Sequence, residues 1–101
     1  MIIYNVTVTI EAELRETFMD WMLTTHIPEV LDAGYFLGYQ FHEMLEPPPE
    51  HGHVTFSVQY RCESLEHSPA SQQEAAPRLR QDVKDKFGNR YAAFRSVMRR
   101  Y

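Results

Sequence analysis

The strict alternation of side chains in the first ten residues constrains this fold most. In the segment IIYNVTVTI, apolar or aromatic residues occupy every second position from Ile2 to Ile10, and Asn5, Thr7 and Thr9 lie between them. Successive side chains of a strand point to opposite faces of a sheet, and β-branched and aromatic residues favour strands. The pattern therefore predicts a strand with one face in a core and a chemically different second face.

A helical repeat follows this strand. Leu14, Phe18, Trp21, Met22 and Thr25 are spaced by three and four residues, which predicts one apolar stripe on a helix from about Ala12 to Thr25. A proline cannot continue a helix smoothly but suits the first turn of a new one. The segment PEVLDAG (28–34) is therefore predicted as a second short helix that ends at its glycine.

The rest of the chain predicts three more strands and one more helix. The strands are YFLGYQFHEML (35–45), HVTFSVQYRCE (53–63) and RYAAFRSVM (90–98). The chain between 64 and 88 is predicted to be mainly helical, most firmly over 77–87, where apolar residues recur every four positions. The order β-α-β-β-α-β over residues 1–101 predicts a single α+β domain of ferredoxin-like type, with both helices on one face of an antiparallel sheet.

Composition narrows the partners and the compartment. The 101 residues include 10 basic and 14 acidic side chains, and this net charge of −4 argues against nucleic acid as a partner. The single cysteine allows no internal disulfide, which favours a reducing compartment. The segment MIIYNVTVTI lacks the features of a secretory leader, and no apolar run is long enough to span a membrane. We therefore expect a cytoplasmic protein without a membrane partner.

The face of the sheet away from the helices carries polar but mostly uncharged residues. A wet strand usually carries Lys and Glu, whereas neutral polar groups suit a surface that is partly removed from water. We therefore expect a second copy of the chain to cover this face, forming a dimeric α+β barrel around a small polar cavity. The alternative is an exposed sheet that is merely rich in threonine. The predicted face contains Asn5, Thr7, Thr9, Gln40, His42, Thr55, Ser57, Gln59, Ile3, Phe36 and Met44.

Two histidines are the candidate catalytic residues. His26 precedes Pro28 at the predicted helix break, where it could act as a general acid or base, or could bond the free carbonyls of the helix end. His42 lies on the polar face, where it could line the cavity or be a bonded histidine of the dimer interface. The predicted ligand-binding residues are Asn5, Thr7, Gln40, His42, Ser57, Gln59 and Arg95, and Arg95 could instead form a salt bridge at the sheet edge.

No cofactor or metal site is predicted. The segment EHGH contains the donors Glu50, His51 and His53, and a strand-like His-x-His would put both rings on one side. It lies in a hairpin connection, however, and the two histidines have no evident third and fourth ligand there. The chain contains no glycine-rich phosphate loop, no nucleophile elbow and no Cys-x-x-Cys pair.

Four blocks of the sequence resemble a known family. These are MIIYNVTVTI, WM…HIPEVL, SVQY and KFGNRYAAFRS, and together they resemble an uncharacterised family of small bacterial proteins that is classed only as a domain of unknown function. Phe18, Trp21, His26 and Pro28 also resemble the corresponding segment of the ether-degradation (EthD-like) group of dimeric α+β barrels. That group and its relatives include cofactor-free monooxygenases and isomerases, so the resemblance implies the fold and allows such chemistry.

The sequence favours a homodimer that binds a small molecule or serves a structural role. The alternatives are a cofactor-independent monooxygenase or isomerase acting on a hydrophobic or aromatic substrate, and an accessory module that binds another protein. Whether the protein is an enzyme is left open by the sequence. A closed pocket of roughly a few hundred Å³ into which at least one of the candidate histidines points would favour the enzyme. A pocket filled by side chains would favour the structural dimer, and an exposed apolar patch outside the dimer contact would favour the accessory module.

Overall fold

The computed structural model describes residues 1–64 and 75–101 and confirms the predicted ferredoxin-like α+β fold. Four short helical segments follow the first strand, and one longer helix precedes the last strand. In chain order the elements are β1 (Ile2–Glu11), a 3₁₀ turn (Ala12–Leu14), α1 (Arg15–Trp21), a π-helical turn (Met22–His26), α2 (Ile27–Asp32), β2 (Gly38–Glu43), β3 (His53–Cys62), α3 (Ala75–Phe87) and β4 (Tyr91–Arg99). The predicted helical segment at 65–74 lies outside the described residues.

The four strands form one antiparallel sheet in the order β2-β3-β1-β4. Val6 of β1 lies opposite Val58 of β3 on one side and opposite Arg95 of β4 on the other. Strands β2 and β3 form the predicted hairpin. Because residues that pair across a ladder share a face, the register places every second residue of all four strands beneath the helices.

The core lies between that face of the sheet and the helices. Phe18 of α1 is 1% exposed, and its ring centroid lies 5.3 Å from that of Phe56 and 5.5 Å from that of Phe87 on α3. Burying such side chains supplies most of the favourable free energy of folding, about 1.5–3 kcal/mol for each. The aromatic cluster therefore fixes both helices onto the sheet.

The predicted break before Pro28 is not a break in the helical backbone. The chain continues from α1 through the π-helical turn into α2, and the N–H of Ile27 donates to the carbonyl of Met22, five residues back. The wider turn accommodates a residue that has no N–H to donate, and such π turns are frequent at functional sites. The turn also changes the phase of the apolar stripe. Thr25, predicted to face the core, is exposed, and His26 is buried instead.

Glycines end both helical regions where the sequence indicates. Gly34 follows α2 with φ of 87°, and Gly88 follows α3 with φ of 60°. Glycine has no Cβ and adopts these angles without strain. Helix α3 contains the segment 77–87 that was predicted most firmly to be helical, and its Val83 and Phe87 are buried as expected.

Candidate functional site

A cavity of about 60 Å³ lies between the helices and the sheet of a single chain. A site for one water molecule needs roughly 10–15 Å³, so the cavity has room for several water molecules. Among the described residues, the polar ones in its lining are Tyr4, His26, Tyr35, Tyr60, Tyr91 and Arg95. The other described lining residues are apolar.

His26 lines this cavity, and its side chain contains a buried polar atom without a hydrogen-bond partner. The side chain is 8% exposed, and its Nδ1 is buried without a hydrogen-bond partner. The ring stacks on Trp21 at a centroid distance of 4.8 Å and an interplanar angle of 20°. The hydrogen bond to a helix end, which was one of the alternatives for this histidine, is therefore not made by Nδ1. An unpaired buried polar atom costs about 1–3 kcal/mol, so this one requires an explanation.

Burial lowers the pKa of His26 to about 4, because a charged imidazole would lose its hydration there. The carboxylate of Asp82 on α3 raises that pKa, whereas the guanidinium of Arg95 on β4 lowers it. The side chain is consequently neutral at pH 7. With its proton on Nε2, a neutral imidazole presents Nδ1 as a hydrogen-bond acceptor. At pH 7 the neutral His26 can therefore accept a hydrogen bond, whereas its lowered pKa disfavours its taking a proton.

Among the described residues of the cavity lining, Arg95 is the charged one. It is half-buried, and within the described part of the chain it forms no ion pair or hydrogen bond. The same side chain also lines an open groove along the edge strand β4, together with Lys84 and Asn89. Arg95 therefore lies where the cavity and the groove meet.

The tyrosines give the cavity walls an aromatic character. Phe36 stacks on Tyr60 at 4.7 Å and on Tyr4 at 6.0 Å. Burial raises the pKa of Tyr60 far above its ordinary value, and the neighbouring Tyr4 and Tyr39 act in the same direction, so the phenol stays protonated. The sequence interpretation placed Phe36 on the opposite face, and that was wrong, because the loop before β2 turns this ring under the helices.

The other predicted ligand-binding residues lie on the opposite face of the sheet, which we call the open face. There Asn5 is 7% exposed and binds its own neighbours. Its Nδ2 donates to Thr7 Oγ1 at 3.0 Å and to Ser96 Oγ at 3.3 Å, and Ser57 Oγ donates to its Oδ1 at 2.6 Å. The remaining predicted residues of this face are Gln40, His42 and Gln59.

The predicted set is therefore divided between two sides of the sheet. His26 and Arg95 share the cavity, whereas His42 is exposed on the open face of β2. Sequence reasoning missed the contribution of the tyrosines. A signal was available, because Tyr4 and Tyr60 bring phenol groups to otherwise apolar faces of their strands.

The hairpin connection that carries Glu50, His51 and His53 shows no metal-binding geometry. Nδ1 of His53 lies 3.2 Å from the carbonyl oxygen of His51. Within residues 1–64 and 75–101, no group of three or more His, Cys, Asp or Glu side chains is placed to hold a metal ion. The described part of the chain also contains no helix of the length and apolarity needed to cross a membrane.

The family of the chain follows from its whole length. A family model described as a domain of unknown function, DUF4286, matches residues 1–101. The chain belongs to this family. The match confirms the resemblance of the four sequence blocks to an uncharacterised family, and no curated protein matches the chain.

Solved structures with the same fold include members of two enzyme-related groups. An ethyl tert-butyl ether degradation (EthD) family protein from Bacillus halodurans is 12% identical with a TM-score of 0.66, and the alignment covers 100% of both chains. A candidate antibiotic biosynthesis monooxygenase from Deinococcus radiodurans is 16% identical with a TM-score of 0.66, covering 100% of this chain and 93% of that one. A similar candidate from Bordetella bronchiseptica is 16% identical with a TM-score of 0.56, covering 99% and 97%. At these identities the likeness shows the fold.

Proposed function

We propose that this protein binds a small, mainly apolar molecule in the cavity between its helices and its sheet, and that His26 recognises a hydrogen-bond donor on that molecule. The buried, unpaired Nδ1 of His26 carries the proposal. Aromatic walls with a few convergent polar groups are typical of small-molecule sites. A bound hydroxyl would supply the partner that Nδ1 lacks.

The proposal includes a homodimer formed through the open face. Midway along the edge strand β4, Phe94 is 64% exposed on that face, and it lies opposite Thr7 in the register. The charged side chains that the register places on the face are Glu11 and Arg61, at the strand ends, so the middle is neutral. A neutral surface with exposed aromatic and aliphatic groups is suited to burial against a second copy.

A comparison of phenol with toluene tests the cavity. Both are single rings of similar shape, but only phenol can donate a hydrogen bond to Nδ1. Trp21 is the only tryptophan of the chain and stacks on His26, so its fluorescence reports binding. We expect phenol to bind about tenfold more tightly than toluene, because one hydrogen bond to a buried acceptor contributes about 1–1.5 kcal/mol. Equal affinities, or no change of fluorescence with either compound, would contradict the proposal.

Matched variants of His26 identify the atom. An Asn side chain at this position keeps a polar atom near the place of Nδ1, whereas a Gln side chain keeps one near the place of Nε2. His26→Asn should therefore retain part of the preference for phenol, and His26→Gln should lose it. The reverse order would show that Nδ1 is not the acceptor.

A second candidate function is cofactor-independent catalysis, and the presence of His26 and Arg95 in one cavity lining favours it. Nδ1 would take a proton from an acidic substrate C–H or O–H, and Arg95 would stabilise the anion. In an isomerase the proton returns to a different carbon. In a monooxygenase dioxygen takes the electrons, one oxygen atom enters the product and the other leaves as water.

Dioxygen uptake with electron-rich phenols, and deuterium exchange at their acidic C–H positions, test this second function. Both should be catalysed by the native protein and lost in His26→Leu. Absence of both activities while phenol still binds would leave a binding protein without catalysis.

A further inference from the structure

The guanidinium of Arg95 is the second feature of the cavity lining that bears on its ligand. A half-buried guanidinium is normally paired with a carboxylate, because its desolvation is otherwise uncompensated. Within the described part of the chain Arg95 has no such partner. Its position at the junction of the cavity and the β4 groove leaves the guanidinium available to a molecule that enters from the groove.

The charges around this junction have one sign. Arg95 is the charged side chain among the described residues of the cavity lining, since His26 is neutral. The groove lining adds Lys84 and, among the described residues, no carboxylate. Asp82 on α3 is the described acid whose charge reaches His26, and it lines neither the cavity nor the groove. A concave surface with positive charges attracts anions and orients them as they approach.

We propose that the ligand is a small planar carboxylate whose acidic group binds Arg95 at the cavity mouth, while its apolar body reaches inward to His26. The inference rests on the proposed function, because it assigns the chemical class of the molecule that fills the same cavity. The planar guanidinium fork matches a carboxylate, which it can bind through two parallel hydrogen bonds. The tyrosine and phenylalanine rings of the wall fit a planar body.

This arrangement predicts discrimination by charge. A neutral amide of the same shape would fill the cavity but leave Arg95 desolvated and without an anionic partner. Hydrogen bonds to charged groups contribute more than neutral ones. The carboxylate should therefore bind at least about tenfold more tightly than its amide.

The experiment compares meta- and para-hydroxybenzoate with the corresponding hydroxybenzamides. Each compound carries a hydroxyl for His26 on a single ring, and the two isomers allow for either separation of the polar groups. Affinities are measured by Trp21 fluorescence and by ligand-observed NMR for the native protein, Arg95→Gln, Arg95→Lys and Arg99→Gln. Arg99 is the matched control, because it lies on the same strand and outside the cavity lining.

We expect at least one hydroxybenzoate to bind the native protein and Arg99→Gln at least about tenfold more tightly than its amide. Arg95→Gln should remove the preference by weakening the carboxylate alone, and Arg95→Lys should retain part of it. Circular dichroism establishes that each variant is folded. If Arg95→Gln does not fold, the preference in the native protein and its decrease with added salt decide the matter.

The outcomes separate the two proposals. If the amides bind as tightly as the carboxylates, or if Arg95→Gln keeps the preference, the assignment of an anionic ligand is overturned while the cavity remains a binding site. If neither class binds in the millimolar range, both the assignment and the proposed function are overturned.

Discussion

The two faces of the sheet differ in how their buried polar groups are satisfied. On the open face, Asn5 is hydrogen-bonded by Thr7, Ser57 and Ser96 of its own chain. On the helix side, His26 is about equally buried, yet its Nδ1 has no partner. Satisfied networks hold a fold together, whereas an unsatisfied buried group indicates a function or a missing ligand. The comparison favours the helix side as the binding site and the open face as an assembly surface.

The largest predicted effect tests the open face as a dimer interface. Phe94→Glu would bury a carboxylate without a partner in each subunit. Such a charge costs about 3–5 kcal/mol, so we expect the dimer dissociation constant to rise more than about a hundredfold. Analytical ultracentrifugation measures it. The matched control is Leu45→Glu, since Leu45 is 73% exposed in the connection after β2 and should leave the dimer intact.

Two results would contradict the assignment of the open face as the dimer interface. A native protein that is monomeric at micromolar concentration would remove the second copy from the open face. A Phe94→Glu variant that dimerises as tightly as the native protein would place the interface elsewhere.

The second prediction concerns the helix side and the pH. The pKa of His26 is about 4 in the folded chain and about 6.5 in the unfolded chain, so the unfolded state binds the proton first as the pH falls. The contribution of His26 is therefore fully present above about pH 6.5 and is lost as the pH falls towards 4. We expect a loss of roughly 2–3 kcal/mol in the free energy of unfolding.

Urea denaturation of the native protein and of His26→Leu, at pH 7 and at pH 4.5, isolates this term. The difference between the two proteins should shrink or reverse at the lower pH, because the variant has no group to protonate there. A constant difference would mean that His26 is not held neutral by burial.

The smallest predicted effect tests the polar network of the open face. Asn5→Ala removes the acceptor of Ser57 and the donor to Thr7 and Ser96, and we expect it to lower the free energy of unfolding by about 1–2 kcal/mol. The control on the same face is Gln40→Ala, at an exposed position of the edge strand, which should change that free energy by less than about 0.5 kcal/mol. Chemical denaturation at fixed protein concentration measures both.

Ligand binding by the same variant tests whether the open face and the cavity are separate. Phenol affinity should be unchanged in Asn5→Ala, because the cavity lies on the other side of the sheet. A large loss of phenol binding in Asn5→Ala would indicate that the open face takes part in ligand binding.

The strands and the order of the elements were predictable from the sequence. The alternation in β1 placed Tyr4 and Val8 in the core, and the observed strand extends only one residue beyond the predicted one. Glycine and proline positions marked the connections, because their backbone restrictions act locally. The family also followed from sequence blocks that span the chain.

Which candidate residues lie together in one site could not be predicted from the sequence. Arg95 and Asn5 were assigned to one ligand set, although the register places them on opposite faces, and a shift of one residue in a strand exchanges its faces. The phase of His26 depended on a π-helical turn, since an α-helical count assigns the buried position to Thr25. The strand register depends on hydrogen bonds between strands that are distant in the sequence. The phase of His26 depends on the added residue in the π-helical turn.

By itself, the sequence determined the succession of strands and helices, because side-chain periodicity, glycine conformational freedom and the missing proline N–H are local properties. Only the tertiary structure decided that His26 and Arg95 meet at one cavity while Asn5 and Ser57 close a network on the other face. They lie far apart in sequence, and strand register and helix packing alone determine which of them share a surface.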